Sequence, residues 1–144
     1  YKKERINLAW VSKEILKSYH NNLKEKSIKI IYKKTSPILI KKINKEHFHI
    51  CFSNVLSNAI KYSPENSKIF INLTLHKLEI RDYWKWIDKK NQKKIFERYF
   101  RESYIKSWQW VWLSLVKKIC DTNKWKIKIK SRKNYWTKVI INLV

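Results

Sequence analysis

The sequence predicts a two-layer α/β sandwich, in which one mixed, mostly antiparallel sheet is covered on one face by helices. The chain has 144 residues, of which 44% are hydrophobic, so it can bury one core. Segments with helical spacing of apolar residues are interspersed with segments in which apolar and polar residues alternate. The predicted order is helix, two extended segments, long helix, two strands, a lid-like loop, helix and two strands, in one domain over residues 1–144.

In the first half of the chain, apolar spacing predicts a helix over residues 6–18 and extended segments over 28–32 and 38–43. These two segments are separated by a proline-containing break, and they form either two strands or one strand and an edge segment. A long central helix is predicted over residues 45–62. It ends before Pro64, because the residue before a proline is pushed out of the helical region.

The second half of the chain supplies most of the predicted sheet. Strands are predicted at 67–74, 75–81, 126–131 and 138–144, an irregular loop at 103–109 and a helix at 111–120. The strand at 75–81 runs into Asp82, and a carboxylate at the end of a buried strand needs a hydrogen-bond donor. A protein N–H group or the exocyclic amine of a ligand would serve as that donor.

The central helix carries the most suggestive polar pattern. Asn54, Asn58 and Lys61 lie on one stripe, next to an apolar stripe that faces the core. Amide oxygens are hard ligands suited to Mg²⁺, and Lys61 adds a point charge for phosphate one turn away. These residues form a candidate Mg²⁺-triphosphate site, although solvation of an exposed helix face explains the same stripe.

Composition narrows the class of protein. The net charge of +23 attracts any polyanion, but the lysines are spread along the whole chain, which favours background composition and predicts no nucleic-acid partner. Cys51 and Cys120 form no disulfide framework, which is typical of a reducing environment. No apolar run has the roughly 20 residues that a membrane helix needs, so this segment is not expected to be membrane-embedded. The absence of Met predicts a fragment of a longer protein.

Four motifs resemble those of sensor histidine kinase catalytic domains, in the superfamily of gyrase, heat-shock chaperone and mismatch-repair ATPases. Residues 54–62 (Asn-Val-Leu-Ser-Asn-Ala-Ile-Lys-Tyr) resemble the family's N box. Residues 82–87 (Asp-Tyr-Trp-Lys-Trp-Ile) resemble its first glycine box, Asp-x-Gly-x-Gly. Residues 95–101 resemble its F box, and residues 108–114 resemble its second glycine box. The motifs follow the family's order over nearly the whole chain.

Tryptophan occupies the positions at which the family has glycine. The chain has 8 Trp and no Gly, where average usage predicts about ten glycines. The matching positions are Trp84, Trp86, Trp108, Trp110, Trp112, Trp125 and Trp136, which leaves only Trp10. This pattern suggests a codon reassignment, in which UGA codons translated here as Trp are decoded as Gly by the source organism. The alternative is a tryptophan-rich surface that stacks single-stranded nucleic acid, but it does not explain why Trp tracks glycine positions.

The resemblance implies a role for each residue of the nucleotide site. Asn58 coordinates Mg²⁺, Asn54 supports that cluster, Lys61 contacts phosphate, Tyr62 packs beside the base, and Asp82 accepts a hydrogen bond from the exocyclic amine of adenine. The other implied nucleotide-binding positions are Trp84, Trp86, Ile87, Arg98, Trp108, Trp110, Trp112 and Leu113. Arg101 is expected to steady the γ-phosphate, whereas Arg98 is equally well explained as a surface ion pair with a nearby glutamate.

The implied function is that of a two-component histidine kinase that binds Mg²⁺-ATP and transfers its γ-phosphoryl group. ATPase relatives have Glu where Asn54 stands, and an amide cannot act as the base that activates water. The acceptor histidine is missing, so the implied partners are a dimerisation domain of the same protein and a response regulator. The implied location is the cytoplasm, or the cytoplasmic part of a membrane-bound sensor. A nucleotide-binding module without kinase activity is the alternative.

Overall fold

The structure is a computed structural model that describes residues 2–83, 107–132 and 136–144, with the backbone alone described for residues 83, 107–113, 131 and 132. Its elements are β1 (Glu4–Asn7), α1 (Leu8–Ser18), α2 (His20–Glu25), β2 (Lys29–Lys34), β3 (Ile40–Ile43), α3 (Lys45–Tyr62), β4 (Lys68–Leu73), β5 (Lys77–Tyr83), α4 (Ser107–Asn123), β6 (Lys126–Arg132) and β7 (Trp136–Asn142). None of the helices in these described ranges is long and apolar enough to cross a membrane.

The main sheet has five strands in the order β2-β4-β5-β7-β6. Strands β2 and β4 are parallel, and every other neighbouring pair is antiparallel. Strands β1 and β3 form a separate two-stranded antiparallel sheet. The predicted fold class, a mostly antiparallel sheet packed against helices, is therefore confirmed.

The core lies between the main sheet and the helices. Ile69 and Ile71 of β4 alternate with more exposed neighbours, as expected for a strand with one covered face. Phe48 and Phe52 of α3 are fully buried against this face, with ring centroids 6.0 Å apart in an edge-on arrangement. Each fully buried side chain of this size contributes about 1.5–3 kcal/mol, so α3 is fixed firmly to the sheet.

The start of the predicted first helix was wrong. Residues up to Asn7 form strand β1, and the helix begins at Leu8. The Asn7 side chain accepts a hydrogen bond from the Ala9 amide at 3.1 Å and another from the Leu39 amide at 3.0 Å. Asn7 therefore caps the helix and ties it to the chain leading into β3, and an asparagine with an extended backbone is typical of a helix N-cap.

Other boundaries also differ from the predictions. The loop predicted at 103–109 was wrong from Ser107 onward, where α4 begins. Helix α2 was not predicted, and its six residues bury only Leu23. The last strand begins at Trp136, two residues before the predicted start. The segments predicted at 28–32 and 38–43 are both strands, but they belong to different sheets.

Candidate nucleotide-binding site

Helix α3 is the element that carries the candidate binding residues, and its bounds are those predicted. Asn44 caps its start, because the Asn44 side chain accepts a hydrogen bond from the His47 amide at 2.8 Å. Ser63 ends it with an extended backbone before Pro64. The Ser63 amide and hydroxyl both donate to the Ala59 carbonyl, at 3.0 and 2.6 Å.

Helix α4 runs antiparallel to α3. The Asn123 amide nitrogen, near the end of α4, lies 2.9 Å from Nδ1 of His47, near the start of α3. One turn further along α3 and one turn back along α4, the buried Cys51 and Cys120 are hydrogen-bonded to each other. This contact and burial raise the pKa of the Cys51 thiol far above its usual range, so it is a neutral core residue. The start of α4 therefore lies toward the end of α3.

The sheet brings Asp82 to the same end of the molecule. Strand β4 begins shortly after the end of α3, and its Phe70 pairs with Arg81 of β5. The end of β5 therefore lies beside the beginning of β4, next to the last turn of α3. Asp82 shares the covered face of β5 with Leu78 and Ile80, and its side chain is only 5% exposed.

Strand β7 adds a residue that sequence reasoning missed. Thr137 lies directly opposite Asp82 in the pairing of β5 with β7, and its side chain is also buried. Within the part of the chain that the structure describes, the Thr137 hydroxyl has no hydrogen-bond partner. The sequence could have revealed Thr137 through its position in the alternating pattern of β7. It lies on the same face as Val139 and Ile141, and it is the polar residue among otherwise apolar covered positions.

The polar stripe of α3 is more exposed than the apolar stripe beside it, as its spacing predicts, although the Asn58 amide oxygen is buried. Asn54 and Asn58 are half-buried, and Lys61 is exposed. The Asn54 amide nitrogen donates to the Ile50 carbonyl at 2.8 Å, so the amide oxygen is the atom that it offers to a ligand. Tyr62 is half-buried and packs against the core cluster.

These residues fit a magnesium ion that arrives with a nucleotide. In residues 2–83, 107–132 and 136–144, no group of three His, Cys, Asp or Glu side chains could hold a metal ion. Mg²⁺ usually keeps several waters and binds few protein atoms together with substrate phosphates. The amide oxygens of Asn54 and Asn58, one turn apart on the same stripe, provide such a limited set of hard ligands.

Several predicted site residues cannot be placed. Those outside the described residues are Trp84, Trp86, Ile87, Arg98 and Arg101. Those whose backbone lies in α4, but whose side chains are not described, are Trp108, Trp110, Trp112 and Leu113. Because α4 starts near the end of α3, the backbone of the second glycine box lies at the same end as Asp82.

The described tryptophans outside the two glycine boxes have different environments. Trp125 is 4% exposed and belongs to the core cluster. Trp136 is half-buried at the start of β7, and Trp10 is 56% exposed. Among the described residues, positive φ occurs only at Ser27, Asn66 and Lys124. The left-handed residue at the turn before β6 is therefore Lys124, and Trp125 directly follows it.

Comparison with known proteins agrees with this geometry. Residues 43–144 match the family described as "Histidine kinase-, DNA gyrase B-, and HSP90-like ATPase". The signal transduction histidine-protein kinase ArlS of Staphylococcus aureus (strain USA300) is 33% identical over 111 residues, which are 72% of this chain and 25% of that protein. The chain spans about a quarter to a third of the length of the curated relatives that it matches.

Two solved structures have the same fold. The nucleotide-free catalytic domain of histidine kinase ThkA has a TM-score of 0.77 and 18% identity, covering 99% of this chain and 97% of that one. ThkA in complex with the response regulator protein TrrA has a TM-score of 0.68 and 20% identity, covering 99% of this chain and 42% of that one. The chain therefore belongs to the family of histidine kinase-, DNA gyrase B- and HSP90-like ATPases, and it has the fold of a histidine kinase catalytic domain.

Proposed function

We propose that this chain is the catalytic domain of a sensor histidine kinase, which binds Mg²⁺-ATP and transfers the γ-phosphoryl group to a histidine on a dimerisation domain. The observation that carries the proposal is that α3 brings Lys61 to the end of the sheet where Asp82 is buried. A nucleotide bound there would have the Asp82 carboxylate next to its base and the Lys61 ammonium next to its phosphates.

Adenine recognition is assigned to the end of β5. The buried Asp82 carboxylate accepts a hydrogen bond from the exocyclic amine of adenine, whereas guanine presents a carbonyl oxygen at the corresponding position. Such a hydrogen bond to a charged group is worth about 1.5–3 kcal/mol. Tyr62 packs beside the base, and Thr137, which lies opposite Asp82 in the pairing of β5 with β7, is assigned to the same contact. The resemblance also assigns Ile87 and Leu113 to the lining of the pocket.

Phosphate binding is assigned to the polar stripe of α3. Asn58 would hold Mg²⁺ through its amide oxygen, with Asn54 supporting the same cluster, and Lys61 would contact phosphate. The bound Mg²⁺ would neutralise phosphate charge. Arg101, and secondarily Arg98, stabilise the charge that develops on the transferred group, where a positioned cation contributes most to phosphoryl transfer.

The chemistry at Asn54 favours transfer over hydrolysis. An amide cannot accept a proton from water, and the Asn54 amide nitrogen is engaged with the Ile50 carbonyl. A histidine side chain is itself a nucleophile and needs no such base at Asn54. We assign the acceptor histidine to another segment of the full protein, because none of the four histidines in this chain is in a His-Glu-x-x-x-x-Pro context. A response regulator is the expected next acceptor.

We also infer that the seven tryptophans at family glycine positions are glycines in the natural protein. The support is their coincidence with the family's glycine boxes, because side chains at those positions would obstruct the approach of phosphates to backbone N–H groups. The buried Trp125 weighs against it, since a glycine there would leave a gap in the core. Mass spectrometry of the natural protein decides: a mass with eight indoles rejects the inference.

The test of the function compares two versions of the chain, one as printed and one with glycine at the seven positions. Each is mixed with γ-labelled ATP and a separately produced helical segment that carries the acceptor histidine of the same protein. Labelled phosphohistidine on the segment supports the proposal. ATP binding without transfer supports a nucleotide-binding module, and no ATP binding by either version rejects the proposal.

A matched pair of variants shows whether any transfer comes from the assigned site. Asp82→Ala and Asn58→Ala together remove the base contact and the metal ligand, and they are expected to abolish transfer. Glu25→Ala and Asn22→Ala remove one carboxylate and one amide from the exposed side of α2. Equal transfer by both double variants would reject the assignment.

A further inference from the structure

Lys26 holds the last turn of α3, the turn that carries Lys61 and Tyr62. The Lys26 ammonium donates hydrogen bonds to the carbonyl oxygens of Ile60, Lys61 and Ser63, at 2.9, 2.8 and 3.0 Å. An ammonium has three protons, so these three bonds use all of them. Lys26 belongs to the turn after α2, far from α3 in sequence, so the contact is tertiary.

This contact satisfies backbone groups that the helix cannot satisfy alone. The last four carbonyls of a helix have no partner within it. At the end of α3, the Ala59 carbonyl accepts from Ser63, and the carbonyls of Ile60 and Lys61 accept from Lys26. Pro64 prevents the helix from continuing. Lys26 therefore supplies the hydrogen-bond donors that the backbone of a further turn would have supplied.

The backbone holds Lys26 in place from the other side. The Asn66 amide donates to the Lys26 carbonyl at 2.9 Å, and the Lys29 amide donates to the Ser67 carbonyl at 3.0 Å. Ser27 and Asn66 both have positive φ, so each of the two facing turns is tightly bent. The side chain of Lys26 is therefore delivered to α3 by a fixed turn.

The electrostatic consequence concerns phosphate. A helix C-terminus carries about half a negative charge, and exposed carbonyls there repel an anion. Lys61, which the proposed function assigns to phosphate, is on that same turn. The Lys26 ammonium donates hydrogen bonds to three carbonyl oxygens at this end of the helix. It also places a full positive charge next to them.

We propose that Lys26 is a positioning residue for the triphosphate: it fixes the turn that carries Lys61 and cancels the negative end of the α3 dipole. This inference rests on the proposed nucleotide site and adds to it a residue outside the resembling motifs. Lys26 itself does not touch the nucleotide. It acts on the phosphates of a nucleoside triphosphate and leaves the adenosine moiety unaffected.

The test measures ATP and adenosine binding by Lys26→Met, Lys26→Arg and Lys24→Met, in the version of the chain that binds ATP. Lys24→Met is the matched control, because Lys24 is an exposed lysine on α2 with the same charge. For Lys26→Met, the Kd for ATP is expected to rise roughly tenfold, and that for adenosine less than about twofold. Lys26→Arg is expected to stay within about threefold of the parent for ATP, because it keeps the charge and several donors.

Each outcome separates the inference from the function on which it rests. If Lys26→Met weakens the binding of ATP and adenosine equally, Lys26 only caps the helix, and the inference is overturned. Unchanged ATP binding would also overturn the inference while leaving the proposed function intact. Absence of ATP binding by the parent would overturn both. Hydrogen exchange at the Ser63 amide gives a readout without nucleotide: Lys26→Met is expected to accelerate it and Lys24→Met is not, and equal exchange in both would also overturn the inference.

Discussion

Asp82 and Thr137 face each other across β5 and β7, and both side chains are buried on the covered face of the sheet. The neighbouring positions on this face of β5 and β7 are apolar. Burying two adjacent polar side chains in such a position lowers the free energy of unfolding unless a ligand or another group forms hydrogen bonds with them. This pair lies at the end of the sheet to which the proposed function assigns the adenine base.

Asp82→Asn is expected to weaken ATP binding by roughly 10- to 100-fold, because a hydrogen bond to a charged acceptor is lost or reversed. GTP binding is expected to change little, so the preference for ATP falls. Competition binding with the two nucleotides measures both values. Glu79→Gln, on the opposite face of the same strand, is the matched control for the loss of a carboxylate. An unchanged ATP preference in Asp82→Asn would count against base recognition by this carboxylate.

Thr137→Val is expected to separate stability from binding. Valine has the same shape, and it removes a buried hydroxyl that has no partner among the described residues, so the free energy of unfolding should rise by about 1 kcal/mol. ATP affinity should fall at the same time. Chemical denaturation and titration with ATP measure the two effects, and a loss of stability would show that the hydroxyl is satisfied within the fold.

Asn58→Ala tests the metal site. The parent is expected to bind ATP more weakly in EDTA than in Mg²⁺, because the ion neutralises phosphate charge. Asn58→Ala should bind ATP with the same affinity in both conditions, at the level of the parent in EDTA. Calorimetric titration measures this, with the exposed Asn22→Ala as control. A variant that keeps its full response to Mg²⁺ would remove Asn58 from the metal site.

Asn54→Glu tests the proposal that the domain transfers phosphate instead of hydrolysing ATP. A carboxylate at this position can accept a proton from water, and general base catalysis contributes about 10²–10⁴-fold. In the absence of an acceptor, release of inorganic phosphate is therefore expected to increase at least about tenfold, which is a lower limit set below that range. Asn54→Gln, which keeps the amide, should show no increase. Equal hydrolysis by the two variants would mean that water is excluded for another reason.

Local signals predicted the helix at the centre of the site correctly. The bounds of α3 follow from the cap at Asn44, the apolar spacing within it and the proline at 64, all of which act within a few residues. Strand β1 was missed because it depends on pairing with β3, more than thirty residues away. A four-residue segment directly before a helix has no periodicity of its own that would reveal such a pairing.

The proposed site also includes residues that local signals do not reveal. Asp82 was identified because it belongs to a recognisable motif, whereas Thr137 gains its meaning only from the register of β5 with β7. Lys26 was missed for a similar reason, because a lysine in a chain with 34 basic residues gives no signal of its own. Its three carbonyl partners are visible only once the fold joins two distant turns.

The parallel pairing of β2 with β4 has a consequence for the folding rate. These two strands are separated in sequence by β3 and the whole of α3. The sequence separation between the paired strands β5 and β7 is larger still, because β7 is near the end of the chain. Domains dominated by such distant pairings fold slowly, because the entropy of closing long loops is lost before the contacts form. Newly made chains would therefore remain without an assembled pocket until the last strand has been synthesised.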